Sequence, residues 1–529
     1  MLARHRAKDD PSNANTSTPD GKRSWFSLGY KEGFNQWWAN LSPAQTEHRV
    51  LSFVPHLQKP PTHTQTGSAP PSLKGSTTDV NGQIVDGDNV VDTRRSKEAA
   101  PVRTSSLNDP WGPRQWHSKL VPLDNSEPNK GKGRFLNEFS VERMGEETTN
   151  SLVMLHGYGA GLGFFYKNFD ALSRRPHWKL YALDLLGMGR SSRPPFRINA
   201  KDREGKVREA ENWFVDALEE WRIKRGIDKM TLLGHSLGGY MAVCYALKYP
   251  GHLNKLILAS PVGFPEDPYA VSEALPEPTD GTVQNEVLQS SNETTAATSN
   301  AKPPPRRLPK WVSTLWDANF SPFTFVRLAG PLGPRLVSGW TTRRFGHLPP
   351  EEAQALHDYS YSLFRQRGSG EYALTYVLAP GAFARSPLIR RIQGVGRQFL
   401  EPKPTPTPDN AASSPPSTQT PTTTSASPQT ASPRETGIPV VFIYGDHDWM
   451  DPAGGRASLE KIAAEKHKAL LNATTREKAL ENGDARVEIV KNAGHHVYLD
   501  GWEEFNQLME REMQDVEKRQ RRLEGAKGE

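Results

Sequence analysis

The stretch Thr231-Leu-Leu-Gly234-His-Ser236-Leu-Gly238 decides how this chain is read. Thr231–Leu233 is a short apolar strand, and a helical pattern runs on through Met241 to Lys248. Between them a serine stands with glycine two residues before it and two residues after. A serine lifted clear of the backbone on a sharp strand-to-helix turn needs small residues at those two positions. Gly234, Ser236 and Gly238 therefore predict a nucleophilic serine at the end of a strand.

Working outward, short apolar runs alternate with amphipathic segments. The runs are Ser151–Leu155, Lys179–Leu183, Lys255–Ala259, Val440–Tyr444 and Val487–Val490. Val207, Ala210, Phe214, Ala217, Leu218 and Trp221 share one face of a predicted helix over Lys206–Trp221. Apolar strands alternating with such helices predict an α/β fold, a mostly parallel sheet covered on both faces.

A serine hydroxyl is a weak nucleophile without a base, and the base needs an orienting acid. Where the serine sits on such a turn, these follow in the chain order serine, acid, histidine. Gly494-His495-His496 follows the strand ending at Val490 and offers the base: His495 is preferred and His496 is the alternative. The acid lies in Gly445-Asp446-His-Asp448-Trp-Met-Asp451. The usual Gly-x-x-Asp turn selects Asp448, with Asp446 and Asp451 as turn or helix caps. Acyl transfer also needs N–H groups aimed at an oxyanion. Leu237, just after the serine, is one expected donor. Tyr158, in the loop His156-Gly157-Tyr-Gly159-Ala-Gly161, is the other, and the glycines let that backbone approach a substrate closely.

The first long loop, His156 to Phe169, resembles an α/β-hydrolase subfamily of phospholipid-handling proteins. This group includes cardiolipin-specific deacylases, N-acyl-phospholipid lipases and a lipase coactivator. The resemblance continues through Gly234–Tyr240, Asn319-Phe-Ser-Pro-Phe323 with Arg327, Gly330–Pro334 and Gly494–Asp500. It implies an α/β-hydrolase fold with an inserted helical cap and a glycerophospholipid substrate, with cardiolipin as the family-based head group. It also implies a His-x4-Asp motif, matched by His495 and Asp500 and associated with lysophosphatidate acyltransferase activity. The coactivator branch lacks the serine; this chain keeps Ser236. The acid turn Gly445–Met450 looks like the deacylase branch. The resemblance further implies a peripheral place on the mitochondrial inner membrane, with a lipid droplet or a cytoplasmic membrane surface as the alternative.

Composition sets the domain layout. The chain has 529 residues, yet only 35% are hydrophobic and Pro numbers 44. Residues 59–105, 265–308 and 401–437 are rich in Pro, Ser and Thr and are expected to be disordered. That leaves an aromatic-rich segment at 1–58, a hydrolase core at 106–264 and 438–529, and a cap at 309–400. Lys+Arg of 66 against Asp+Glu of 60 gives a net charge of +6. No nucleic-acid-binding signature accompanies it, so an anionic lipid surface is the expected partner rather than nucleic acid. Cys244 is the single cysteine, which excludes a disulfide framework. No metal and no cofactor is expected.

Two features suit a lipid substrate. The cap holds Trp311, Leu315, Trp316, Phe320, Phe323, Phe325 and Trp340, interleaved with Arg327, Arg335, Arg343 and Arg344 as candidate phosphate contacts. Near the N-terminus, Phe26, Tyr30, Phe34, Trp37 or Trp38, and Leu41 recur on one helical face, with Lys22, Arg23 and Lys31 nearby. Such a helix suits a membrane interface.

Overall fold

The structure is a computed structural model that describes residues 28–55, 104–105, 109–123, 133–266, 319, 321–379, 383–400 and 433–528. Phe26, Lys22, Arg23, Trp311, Leu315, Trp316 and Phe320 lie outside these, as do most of the three segments expected to be disordered.

Among the described residues nine strands form one sheet: β1 (Thr104–Ser105), β2 (Arg114–Pro122), β3 (Phe135–Arg143), β4 (Asn150–Leu155), β5 (Trp178–Leu183), β6 (Met230–His235), β7 (Leu253–Ala259), β8 (Pro439–Gly445) and β9 (Asp484–Val490). Their order is β1-β2-β3-β5-β4-β6-β7-β8-β9. The pairs from β1 to β5 through β3 are antiparallel, and those from β5 through β4 to β9 are parallel. β2 and β3 have no counterpart among the sequence-predicted strands. One face of each is polar, with Gln115, His117 and Lys119 opposite Glu142, Ser140 and Glu138, so these strands alternate apolar and polar residues where the sequence reading followed unbroken apolar runs.

Among the described residues the ten longer helices are α1 (Tyr30–Ala39), α2 (Pro43–Leu51), α3 (Tyr166–Leu172), α4 (Arg203–Lys224), α5 (Leu237–Lys248), α6 (Pro322–Leu328), α7 (Gly333–Phe345), α8 (Pro350–Phe364), α9 (Ala453–Leu471) and α10 (Trp502–Gly528). Strand side chains alternate across the sheet. Val153 and Leu155 of β4 join a core with Phe214, Leu218 and Trp221 of α4. Leu152 and Met154 join the opposite core with Phe505, Met509 and Met513 of α10. Both faces are therefore covered, which is why the parallel strands read as unbroken apolar runs. α10 is also fixed by charge: the fully buried Lys255 ammonium of β7 donates to Glu512 at 2.8 Å and to Asp515 at 2.6 Å.

Three sequence expectations need correction. The segment 1–58 is not a membrane-surface unit throughout. α2, opened by Pro43 and a Ser42–Gln45 capping box, buries Val50 and Leu51 in the core together with Val54 beyond it. The stretch 59–105 ends in β1, which pairs with β2. In the stretch 401–437, residues 433–437 are ordered. There Arg434 bridges Phe399, and the Glu435 carboxylate accepts the N–H groups of Gly251 and Gln398.

α2 also delivers a carboxylate to the core. Glu47 accepts from Arg190 Nη1 at 2.7 Å and from Asn137 Nδ2 at 3.1 Å. The same Asn137 amide donates to Asp184 at 2.8 Å. Burial pushes the Glu47 carboxyl from the ordinary 4.5 up to about 7, against the pull of Arg190 and with the push of Asp184. Folding therefore favours the protonated form. The stability from this group is full below pH 4.5 and is lost as pH rises towards about 7. Relative to a Glu47→Gln variant, the native chain should lose of the order of 2 kcal/mol over that window. Calorimetry at about pH 5 and about pH 7.5 checks this: the fall in Tm should be a few degrees smaller in the variant. Equal slopes would show that Glu47 does not titrate there.

Candidate active site

Ser236 follows the last residue of β6 and caps α5 with φ 51° and ψ −116°. A non-glycine residue pays for this left-handed backbone with strain. The surroundings enforce it. A Cβ on Gly234 would lie 2.3 Å from the Gly238 carbonyl oxygen, and one on Gly238 would lie 2.6 Å from the Leu155 carbonyl oxygen. The Ser236 N–H donates to the Ala259 carbonyl at 3.0 Å, which locks the turn to the end of β7.

His495 lies in the turn after β9, and its Nδ1–H donates to Asp448 Oδ1 at 3.1 Å. Both side chains are buried, at 1% and 0% exposure. The other carboxylates of this turn are used locally. Asp446 accepts the Ala493 N–H at 3.1 Å and lies 2.7 Å from His447 Nδ1, while Asp451 accepts the Ala453 N–H at the start of α9. Trp449 packs on His495 with ring centroids 4.8 Å apart.

His235, a residue the sequence reading passed over, joins the two halves of the site. Its Nε2–H donates to the His495 carbonyl at 2.9 Å, so the serine turn and the histidine turn meet through one imidazole. Burial, with His495 and Arg344 nearby, holds His235 well below the usual histidine range, in the neutral form. The signal was available in sequence: His235 is a polar residue at the buried end of an apolar strand, which requires a partner.

His496 does not meet Asp448. Its ring stacks on Phe164, and its Nδ1 accepts from Arg344 Nη2. Asp500 does not meet His495 either. One of its oxygens accepts the Gly494 N–H at 3.1 Å, and the other stands 3.5 Å from His347. The His-x4-Asp spacing thus places Asp500 as a brace for the turn that carries His495.

The glycine-rich loop after β4 lies against the elbow. A Cβ on Gly157 would fall 3.0 Å from Ser236 Cβ and 2.8 Å from His235 Nδ1, so the peptide leading into Tyr158 runs beside the serine. Gly159 turns the chain at φ 70°, and the Tyr158 ring stacks on Phe323 of α6 at 5.1 Å. Two buried side chains hold the loop. His156 donates from Nδ1 to the Gly157 carbonyl at 2.7 Å and accepts the Leu185 N–H at Nε2, neutral because burial lowers its pKa to about 4. Asp184 accepts the Leu162 N–H at 2.7 Å. Leu237 opens α5, so its N–H belongs to the helix N-terminus next to Ser236.

Of the four candidate phosphate contacts, Arg327 and Arg335 are engaged away from Ser236. Arg327 makes a bidentate pair with the buried Glu371, at 2.7 and 3.2 Å. Arg335 stacks over Tyr30 at 4.0 Å and donates to the Leu28 carbonyl. Arg343 and Arg344 close α7, and Arg344 reaches the histidine turn as described. Phe323 and Trp340 pack inside the cap against Phe364, whereas Phe325 is exposed. Among the described residues no group of three or more His, Cys, Asp or Glu is arranged to hold a metal ion.

A serine on a strained elbow, an adjacent His–Asp couple and a glycine loop beside them can perform acyl transfer. The α/β hydrolase fold family matches residues 150–501, a span that contains all three. The chain belongs to the α/β hydrolase fold family. This α/β hydrolase is 36% identical over 329 residues to a 1-acylglycerol-3-phosphate O-acyltransferase of Arabidopsis thaliana, covering 61% of this chain and 60% of that protein. It is 32% identical to the human 1-acylglycerol-3-phosphate O-acyltransferase ABHD5, covering 67% and 75%. It is 30% identical to a human (lyso)-N-acylphosphatidylethanolamine lipase, covering 68% and 78%. The chain thus spans three-fifths of the plant relative and about three-quarters of the human ones. These relatives form a phospholipid-related group within the family.

The three aspartates of the acid turn separate by experiment. Asp448→Asn should lower kcat roughly 1,000-fold or more with folding intact, because an amide there misorients the imidazole. Asp446→Asn should stay within about tenfold, since that residue only ties the turn. Steady-state hydrolysis of a soluble ester measures both, and a larger loss at Asp446 would reverse the assignment.

Proposed function

We propose that this α/β hydrolase is a serine hydrolase of the phospholipase A type, removing an acyl chain from a glycerophospholipid. The observation that carries the reading is the strained Ser236 elbow joined through His235 to the His495–Asp448 couple. Ser236 Oγ attacks the ester carbonyl carbon, and His495 Nε2 takes its proton. Asp448 holds the other ring nitrogen and so fixes the tautomer. The N–H groups of Leu237 and Tyr158 stabilise the oxyanion. The carbon–oxygen bond to the glycerol breaks, and His495 returns the proton to the leaving lysolipid oxygen. Water, deprotonated by His495, then attacks the acyl-serine, and the fatty acid leaves with Ser236 restored. Cardiolipin remodelling at the mitochondrial inner membrane is the specific setting we propose, on the resemblance to the deacylase branch.

Relatives named for acyltransferase activity make acyl transfer to lysophosphatidate the competing reading. The aspartate that reaches His495 is Asp448 and not the motif residue Asp500, which supports an acyl transfer through Ser236 with either water or a lysolipid hydroxyl as acceptor. The deciding measurement is fatty acid release from liposomes of cardiolipin, phosphatidylethanolamine and phosphatidate, with and without acyl-CoA. Ser236→Ala should abolish release on every lipid. Release that persists in the variant, or phosphatidate synthesis that needs acyl-CoA and survives it, would refute the proposal. An inactive native chain that stimulates another lipase would instead mark a scaffold.

The proposed setting is a membrane surface, and α1 supports it. Its Gly33 side packs on the cap against Arg335, while Tyr30, Phe34 and Trp38 remain exposed, Trp38 at 73%. Leu328, Leu332 and Leu336 are also exposed on the cap elements around α1. Aromatic and leucine side chains of this kind insert at the headgroup boundary. No helix among the described residues is long and apolar enough to cross a membrane. Replacing Phe34 and Trp38 by Ser should reduce flotation with cardiolipin-containing liposomes by about tenfold. Undiminished flotation would place the contact elsewhere.

A further inference from the structure

We infer that Arg344 recognises a phosphate group of the substrate and makes this site selective for phosphorylated lipids or acyl donors. The inference rests on the acyl-transfer reading of Ser236 and extends it to a substrate class.

The placement comes first. α7 ends on Phe345, which is fully buried between Phe164 and Trp340. That anchor fixes the helix end against the loop that follows β4. The neighbouring Arg344 turns its guanidinium to His496, whose Nδ1 accepts from Nη2. His496 follows His495, and its ring centroid lies 5.0 Å from that of His235, the residue before Ser236. The guanidinium is therefore one imidazole away from both the base and the nucleophile turn.

The charge accounting comes second. Several interior arginines have carboxylates: Arg327 has Glu371, Arg190 has Glu47, Arg391 has Glu211 and Arg397 has Glu481, while Arg193 is satisfied by three backbone carbonyls and the Gln366 amide oxygen. Arg344 is half-buried, its described partner is an imidazole, and no carboxylate among the described residues pairs with it. Its Nε–H is buried with no acceptor. Asp500, the carboxylate of the adjoining turn, is turned to Gly494 and His347. A cation taken out of water without an anion is costly, and a donor left without an acceptor adds to the cost. A buried donor without a protein acceptor is a place that a ligand oxygen can complete.

The ligand chemistry follows from the fork. Guanidinium groups bind phosphate oxygens through two parallel N–H donors, which suits Arg where an ammonium would give only a point charge. A glycerophospholipid carries its phosphate and its acyl ester on one glycerol unit. An ester held at Ser236 thus brings its phosphate to the neighbourhood of the histidine turn. Acyl-CoA also carries phosphate, so the recognised chemistry is common to both sources.

Binding measured in the Ser236→Ala background separates recognition from turnover. The probes are dihexanoyl phosphatidate, dihexanoylglycerol with the same chains and no phosphate, and coenzyme A, each titrated by calorimetry. Adding Arg344→Gln should weaken the phosphatidate about ten- to a hundredfold and the dihexanoylglycerol less than about threefold. Arg344→Lys should fall between. A selective loss of coenzyme A in place of phosphatidate supports the inference with the acyl donor as the source. With Ser236 present, the kcat/KM ratio of phosphatidate to dihexanoylglycerol should drop by the same factor, carried by KM. Equal weakening of all three probes, or none, overturns the inference and leaves Arg344 as a latch between cap and histidine turn. If the native chain releases no fatty acid at all, the hydrolase reading fails while the binding result still decides the role of Arg344.

Discussion

The left-handed backbone of Ser236 is the constraint on which the rest of the site depends. An L-residue leaves that conformation unless its neighbours forbid the alternatives. Here the start of α5 is pressed against the end of β4 so closely that Gly238 has no room for a methyl group. The same closeness brings the Gly157 peptide against Ser236 and forces glycine there too. One strained dihedral thus accounts for three glycines, the closeness of the glycine loop after β4 and the exit of α5. It also explains the parallel register: Leu155 pairs with Gly234 and His235 with Ala259, so the ends of β4, β6 and β7 arrive together beneath the serine.

What was legible in the sequence follows from that constraint. Ser236, its glycines and the strand–helix alternation were readable because steric exclusion leaves one residue type at each position. The pairing of Asp448 with His495 was readable from the Gly-x-x-Asp turn usual in this fold, and the structure brings those two side chains together. The antiparallel strands β2 and β3 were passed over, because the reading followed unbroken apolar runs and theirs alternate with a polar face. The fates of the arginines were not readable either. Whether Arg327 meets a substrate phosphate or Glu371 depends on a contact 44 residues away in sequence, which no local pattern encodes.

The N-terminal helices illustrate a second kind of hidden information. The aromatic face of α1 was visible as a pattern, but its opposite face was equally decisive. Gly33 packs on Arg335, and Gln36 donates to Asp358 of α8 at 2.8 Å. α2 continues the attachment with Arg49 on Asp358 and Glu47 in the interior. A helix can be docked on its own domain and still present aromatics outward, so the two readings of such a pattern do not exclude each other.

Glu47 shows how far this attachment reaches. Its carboxylate shares Asn137 with Asp184, and Asp184 holds the Leu162 N–H of the loop that runs beside Ser236. Tyr359 of α8 donates to Glu47 at 3.3 Å and also accepts the Gly163 N–H. The N-terminal segment, the cap and the oxyanion loop therefore meet in one buried polar network with two carboxylates and the Arg190 guanidinium between them. Buried networks of this kind are rigid only when every member is satisfied. Any contact that pulls α2 away from the core would strip Arg190 and Asn137 of an acceptor and loosen the support of Leu162. Two residues separate the end of α1 from Ser42, so a displacement of α1 would act on the same lever. The geometry of the glycine loop beside Ser236 is in this way tied to the helix that presents exposed aromatics.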